Sequence, residues 1–310
     1  MNVLVAGATG AIGRRLVPIL LERGHDVSLL ARDPAKGEAL RKAGASVVAA
    51  DALDRDSVVR AFEAARPEVV VNELTSLSGL ASADGRRGIR DAYAANDRIR
   101  RVGYANVLEA SRRVGVRRLV AQSSAFWYAP DGTDAPKSEE ARWWTDLPDP
   151  VGAAVRTMAE AERALLASDR LEGVALRYGV LFGPGTAVAP DGGFATALRR
   201  RMLPIVGSGA ALSPFVHVED AAEATARFVE AGAPGAYNVA GEAARADAWM
   251  PALARAIGAP PPRRIPEWVA ALAVGRGLAA WLAREQAAAS GKAEGAVGWR
   301  AKRSWRDGFA

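Results

Sequence analysis

Residues 2–13 read Asn2-Val3-Leu4-Val5-Ala6-Gly7-Ala8-Thr9-Gly10-Ala11-Ile12-Gly13. An apolar, β-rich run passes directly into a turn carrying three glycines at Gly-x-x-Gly-x-x-Gly spacing, and a helical pattern follows over 11–23. In that context each glycine has a task. Gly7 permits the tight turn, Gly10 lets the backbone approach a pyrophosphate, and Gly13 brings the new helix onto the sheet. Thr9, Ala11 and Ile12 complete the turn, whose free N–H groups and helix dipole face an anion. The reading is a dinucleotide-binding turn that holds the pyrophosphate of a nicotinamide cofactor.

Outward from this turn, β-rich runs at 26–31, 46–50, 68–72, 117–122 and 173–178 alternate with helical patterns near 35–43, 54–65, 92–115 and 152–168. Such βαβ alternation predicts an α/β fold, a doubly wound parallel Rossmann sheet with helices on both faces. After residue 180 the pattern loosens. Gly183-Pro184-Gly185 and Pro190-Asp191-Gly192-Gly193 are turn chemistry. Helices are expected near 194–202, 219–231 and 245–257, with strand-like runs at 215–218 and 236–239. The expected organisation is a dinucleotide-binding domain over 1–180, with later segments returning to its sheet. A small, mostly helical substrate-binding cap is expected over 181–310.

The chain has 310 residues, half of them hydrophobic, enough for one large domain with an appendage. A net charge of +6 arises from 41 basic residues interleaved with 35 acidic ones. The densest basic runs are only Arg199-Arg200-Arg201 and Arg117-Arg118, so a solvated surface is expected and no nucleic-acid partner. The absence of cysteine excludes disulfides, thiolate metal sites and a cysteine nucleophile. Two histidines without an acidic cluster argue against a metal. The apolar stretch Trp268–Ala283 is too short to span a bilayer and is expected to pack within the cap. No signal-like segment precedes the first strand, so a cytoplasmic location without membrane contact is expected.

The second strand bears on the choice of cofactor. An NAD-selective fold places an acid at its end to accept from the ribose 2′-OH. Here the strand ends Leu29-Leu30-Ala31-Arg32. The Arg32 guanidinium suits a 2′-phosphate and adenine stacking, which favours NADP over NAD. Asp33, one residue later, weighs the other way. Asp51, with Leu53 nearby, is placed for the adenine amino group, and Leu74-Thr75 for the nicotinamide ribose.

These motifs resemble the extended and atypical short-chain dehydrogenases/reductases, the NAD-dependent epimerase/dehydratase group. The loop matches its GATGxIG form. Gly115–Ser124, reading GVRRLVAQSS, is similar to its "GVKRFVxxSS" strand. Leu176–Gly185 resembles "LRPGNVYGPG", Phe215–Ala221 resembles "FVHVDDxA", and Tyr237-Asn238-Val239 resembles "YNV". The tail, Gly298-Trp299 and then Ser304–Phe309, follows the group's closing "GW…sWreGf", so the resemblance covers essentially the whole chain.

The resemblance implies hydride transfer at nicotinamide C4, assisted by a Ser and a Tyr-x-x-x-Lys pair. In that pair the ammonium lowers the tyrosine pKa, and the i, i+4 spacing puts both on one helix face. This chain departs from it. Ala154 stands at the Tyr position and Met158 at the Lys position, and none of the five tyrosines has a lysine four residues later. Ser124 maps onto the catalytic serine. Tyr128 and Tyr178, each following a strand end, are the candidate substitutes, with ring packing as the plainer role for both.

Three functions remain open at this level. One is an NADP(H) oxidoreductase with a non-standard site, acting on a small or mid-sized organic carbonyl or alcohol as a monomer or homodimer. The second is a dinucleotide-binding sensor or regulator without turnover. The third is an isomerase, epimerase or lyase. Trp143-Trp144 overhang the nicotinamide end and would line an apolar pocket or anchor a loop. His217 is expected to be a satisfied core histidine. Arg98, Arg100, Arg101, Arg112 and Arg113 on the 92–115 helix read as a largely solvated face.

Overall fold

Strand β1 (Asn2–Ala6) has Val3, Leu4, Val5 and Ala6 wholly buried, which is why it reads as a continuous apolar run instead of an alternating one. The computed structural model describes residues 1–76 and 85–309. Seven parallel strands form the main sheet: β1, β2 (Asp26–Ala31), β3 (Ser46–Ala49), β4 (Val69–Asn72), β5 (Arg118–Ser124), β6 (Glu172–Tyr178) and β10 (Gly235–Val239). Their spatial order is β3-β2-β1-β4-β5-β6-β10. The order reverses between β1 and β4, the place where a doubly wound sheet opens a crevice at its carboxyl edge.

Helices cover both faces. On one, α1 (Gly13–Glu22) lies with α8 (Val218–Glu230), and Leu16, Val17, Leu20, Ala221, Ala224 and Phe228 share a core. On the other, α3 (Arg55–Ala65) and α5 (Tyr104–Val114) bury Val58, Phe62, Val107 and Leu108 against Leu4, Val70 and Leu119. The expected run at 236–239 is β10, the edge strand paired with β6, and the tail residue Trp299 packs in the α1–α8 layer. Sequence position after residue 180 thus does not separate these segments from the sheet.

The rest of the C-terminal part is built from α7 (Gly193–Arg199), α9 (Ala246–Ala256), α10 (Glu267–Val274), α11 (Arg276–Arg284) and α12 (Gly291–Val297), with short strands between them. Strands β7 (Val180–Phe182), β9 (Leu212–His217) and β11 (Ala243–Arg245) make a three-stranded sheet. Phe182, Phe215, Trp249 and Trp305 fill a separate core beneath it. Trp268–Ala283 is two helices broken at Gly275, whose φ of +91° ends α10. No described helix is long and apolar enough to cross a membrane.

The pattern at 92–115 differs most from expectation. It is α4 (Gly85–Arg98), a π-helical turn at Ile99–Gly103, and then α5. The wider turn shifts the side-chain register and carries Arg100 inward. Arg100 is therefore buried, not part of a solvated arginine face.

Candidate active site

The turn between β1 and α1 has the form its glycines predict. A Cβ at Gly7, where φ is +86°, would lie 2.6 Å from the Glu73 carbonyl carbon and oxygen. One at Gly13 would lie 2.5 Å from Ala8 Cα. Only glycine allows this loop to nest against the end of β4 while α1 starts directly behind it. Gly10 N donates to Gly7 O at 3.0 Å and closes the turn. The N-cap residue Ile12 supplies no side-chain acceptor, while Arg14 N and Arg15 N donate back to Gly10 O and Ile12 O at 3.2 and 2.9 Å. Among the described residues Ala11 and Ile12 donate no backbone bond across the turn. This cradle fits a dinucleotide pyrophosphate, which Gly7, Thr9, Gly10, Ala11, Ile12 and Gly13 would hold.

At the carboxyl ends of β2 and β3, Arg32 is exposed. The neighbouring Asp33 carboxylate is engaged, accepting from Ala35 N at 3.1 Å as the cap of a short 3-10 turn. Asp51 accepts from Leu53 N at 3.0 Å, which fixes its carboxylate in the loop before α3. Asp54 is the α3 cap, accepting from Asp56 N and Ser57 N. After β4, Leu74 N donates to Asn72 Oδ1 at 3.2 Å, and Leu74 and Thr75 are half-buried at the crevice edge.

The carboxyl ends of β4, β5 and β6 bring together a polar group that only partly follows expectation. Ser124 is paired in register with Tyr178, and its buried Oγ has no hydrogen-bond partner among the described residues. Tyr178 is buried, and its hydroxyl donates to Glu73 Oε1 at 2.8 Å and meets Thr225 Oγ1 at 2.7 Å. Burial, with Glu73 beside it, holds the Tyr178 pKa well above the ordinary phenol value. Burial likewise pushes the Glu73 carboxyl up to about 8, offset by the Tyr178 hydrogen bond and the Arg100 charge. The Arg100 guanidinium is lowered by burial to about 10. Glu73 Oε2 and Arg100 Nε, like Ser124 Oγ, are buried without a hydrogen-bond partner among the described residues. Sequence reasoning missed Glu73 and Arg100. The available signal was a charged residue directly after the apolar run Val69-Val70-Val71 and Asn72.

Tyr128 lies apart from that group. Its hydroxyl donates to Asn238 Oδ1 at 2.7 Å and accepts from Arg177 at 2.8 Å. Burial is the main cause that pushes its pKa up to about 12. Arg177 also pairs with buried Glu162, which accepts from Ser123 at 2.6 Å. The guanidinium lies 4.9 Å from the Trp143 ring centroid, so this network fastens the loop after β5 to the sheet. Trp143 is an anchor of that loop. His217 caps α8 by accepting from Glu219 N at 3.3 Å, and burial lowers its pKa.

Ala154 and Met158 occupy α6 (Val151–Leu166) and are both buried. They join Ile89, Tyr93, Trp127, Leu147, Val151 and Val155 in one apolar cluster, with Phe126 and Trp281 packed against it. The Trp127 and Trp281 centroids are 5.1 Å apart, and Phe126 stands 5.0 and 5.9 Å from them. This face of α6 is an aromatic-rich apolar wall.

Residues 3–240 match the NAD dependent epimerase/dehydratase family. The chain belongs to that family. This epimerase/dehydratase-family protein is an NAD(P)-dependent oxidoreductase, and its full length is similar to that of one known reductase. It is 46% identical over 312 residues to a 3-diazoavenalumate denitrifying reductase of Streptomyces sp, covering 100% of this chain and 99% of that one. It is 29% identical over 240 residues to a 2-alkyl-3-oxoalkanoate reductase of Stenotrophomonas maltophilia (strain K279a), covering 76% of this chain and 67% of that one. Among solved structures, the UDP-glucose 4-epimerase of Thermus thermophilus in complex with NAD superposes with a TM-score of 0.75 at 28% identity. That match covers 100% of this family member and 96% of the epimerase.

Proposed function

We propose that this protein is an NADPH-dependent reductase that replaces the diazo group of an aromatic substrate by hydrogen. The observation that carries the proposal is the apolar pair Ala154 and Met158, set among aromatic rings, at the positions that the family resemblance assigns to an acid–base pair. The end-to-end 46% identity with a denitrifying reductase supports the same substrate class.

The Gly7–Gly13 turn would hold the pyrophosphate of the reduced dinucleotide, whose nicotinamide would supply a hydride. A diazonium carbon that accepts it gains a C–H bond as its C–N bond breaks, and the bonding pair leaves in neutral dinitrogen. Cation and hydride cancel, so no proton is required from the protein. Carbonyl reduction is different, because the new alkoxide must be protonated, which is the task of the usual tyrosine and lysine. A chain without that pair suits a substrate that needs no proton from it.

The residues in place have other work. Phe126, Trp127 and Trp281 offer ring faces and edges to an aryl group. The Val151–Ala154–Met158 face keeps water from a carbon that water would otherwise attack. Arg32 selects the 2′-phosphate of NADPH, the Asp33 carboxylate being turned to its own backbone cap.

Reduction of a carbonyl is the second reading. It is favoured by the protonated Glu73 carboxyl hydrogen-bonded to Tyr178, a proton store at the strand ends. One assay separates the two. Purified protein with NADPH deuterated at C4 is given an aryldiazonium acid and, separately, a panel of oxoacids. Evolution of dinitrogen with deuterium on the aryl carbon supports the first reading. Cofactor oxidation only with oxoacids overturns it in favour of the second.

A further inference from the structure

A surface cavity of about 740 Å³ opens where the first turn of α4 meets the turn before α6 and the α10–α11 junction. Its lining combines Ile89, Val274, Pro148 and Pro150 with three arginines, Arg87, Arg90 and Arg276. The charge balance is one-sided. The lining carboxylate, Asp149, is engaged by Arg156 at 2.7 Å. Arg87 and Arg90 share exposed Asp91 at 3.9 and 3.7 Å, a loose pairing in water. Arg276 makes no ion pair among the described residues. It also begins α11, whose N-cap Gly275 offers no side chain to the helix N–H groups, so the helix dipole adds to the positive field.

The cavity borders the wall already described through Ile89, which lines it. Ile89 and Val151 belong to the same apolar cluster as Ala154 and Met158. Residues 151, 154 and 158 follow one helix face. From Pro150 to Met158 that face runs about 12 Å along the axis at about 1.5 Å per residue. An aromatic acid whose ring meets that apolar cluster would keep its charged end at the cavity.

We propose that this cavity seats the carboxylate of the substrate, with Arg276, Arg90 and Arg87 as its specificity-determining residues. The inference rests on the aromatic-substrate reading above and adds the class of its remote group. A carboxylate there takes charge-assisted hydrogen bonds from guanidinium groups that otherwise face solvent. Binding energy gained far from the reacting carbon orients the ring for the chemical step.

The test is calorimetric and needs no turnover. The full chain with NADP is titrated with trans-cinnamate, with its uncharged methyl ester, and with UDP-glucose. The acid is expected to bind roughly 10–100-fold more tightly than the ester, the range of one or two charged hydrogen bonds. Arg276→Ala is expected to remove most of that difference and to leave ester affinity unchanged, whereas Arg276→Lys restores part of it. Equal binding of acid and ester by the wild-type chain overturns the proposal. So does an Arg276→Ala variant that weakens both equally, or preferential arginine-dependent binding of UDP-glucose. Because no reduction is measured, failure of the diazo assay leaves this result standing. Conversely, diazo turnover that is equal for acid and ester overturns the carboxylate site alone.

Discussion

The Tyr178 hydroxyl donates to Glu73 Oε1 at 2.8 Å inside the protein, tying the end of β6 to the end of β4 directly behind the glycine turn. The same hydroxyl meets Thr225 of α8, so three elements converge on one buried carboxyl. Because burial raises the Glu73 pKa from 4.5 to about 8, the folded chain retains a proton that the unfolded chain releases. Stability from this group is fully present below about pH 4.5 and is lost as pH rises through about 8. Glu285, raised to about 8 by burial, acts in the same sense. The neutral isostere Glu73→Gln should therefore match the wild type near about pH 5 and exceed it by more than about 1 kcal/mol near about pH 9. Urea unfolding across that range reads the difference, and parallel stability curves would refute the assignment.

Ser124→Ala removes a buried hydroxyl that has no intramolecular partner among the described residues. Folding stability should stay within about 0.5 kcal/mol of the wild type or rise, because no bond is lost and a desolvated polar atom is removed. Turnover should nevertheless fall if that hydroxyl faces the reacting group. Thermal unfolding measured beside the NADPH assay distinguishes a site residue from a structural one.

The three loop glycines should separate two effects. Gly7→Ala places a methyl 2.6 Å from the Glu73 carbonyl at positive φ and should cost roughly 1–3 kcal/mol of stability even without cofactor. Gly10→Ala has more room, its nearest atom being Gly7 O at 3.2 Å. It should melt close to the wild type yet lose most of the NADPH-induced rise in Tm, which scanning calorimetry with and without NADPH would show.

Arg32→Ala should weaken NADPH binding by roughly 10–100-fold and change NADH binding little, the value of one charge-assisted contact to phosphate. Titration of both cofactors into both proteins gives the ratio directly. Equal losses for NADPH and NADH would remove Arg32 from the selectivity argument.

Arg177→Met leaves Glu162 buried without its cation and cuts the Tyr128 link at the same time. A loss of about 3–5 kcal/mol is expected. The double variant Arg177→Met with Glu162→Leu should recover much of it. Denaturant unfolding of the wild type, Arg177→Met, Glu162→Leu and the double variant measures the coupling, and additive losses would show that the pair is not a unit.

The sequence by itself determined the parts governed by local chemistry. Gly7, Gly10 and Gly13 between an apolar run and a helix specify the turn, because a Cβ at Gly7 or Gly13 would collide with neighbouring backbone. The alternation of buried strands with amphipathic helices specifies a parallel, doubly wound sheet. The absence of any Tyr-x-x-x-Lys spacing is likewise a property of the sequence alone. What the tertiary structure decided concerns groups far apart in the chain. Glu73, Arg100, Tyr178 and Thr225 meet only because β4 and β6 end beside α8 and the π-helical turn, which carries Arg100 inward where simple helical counting leaves it in solvent. Tyr128 is held by Arg177 and Asn238, partners 49 and 110 residues away. The arginine-lined cavity joins residues from 87 to 276, and no local pattern marks such a site, because charge convergence is a property of packed surfaces.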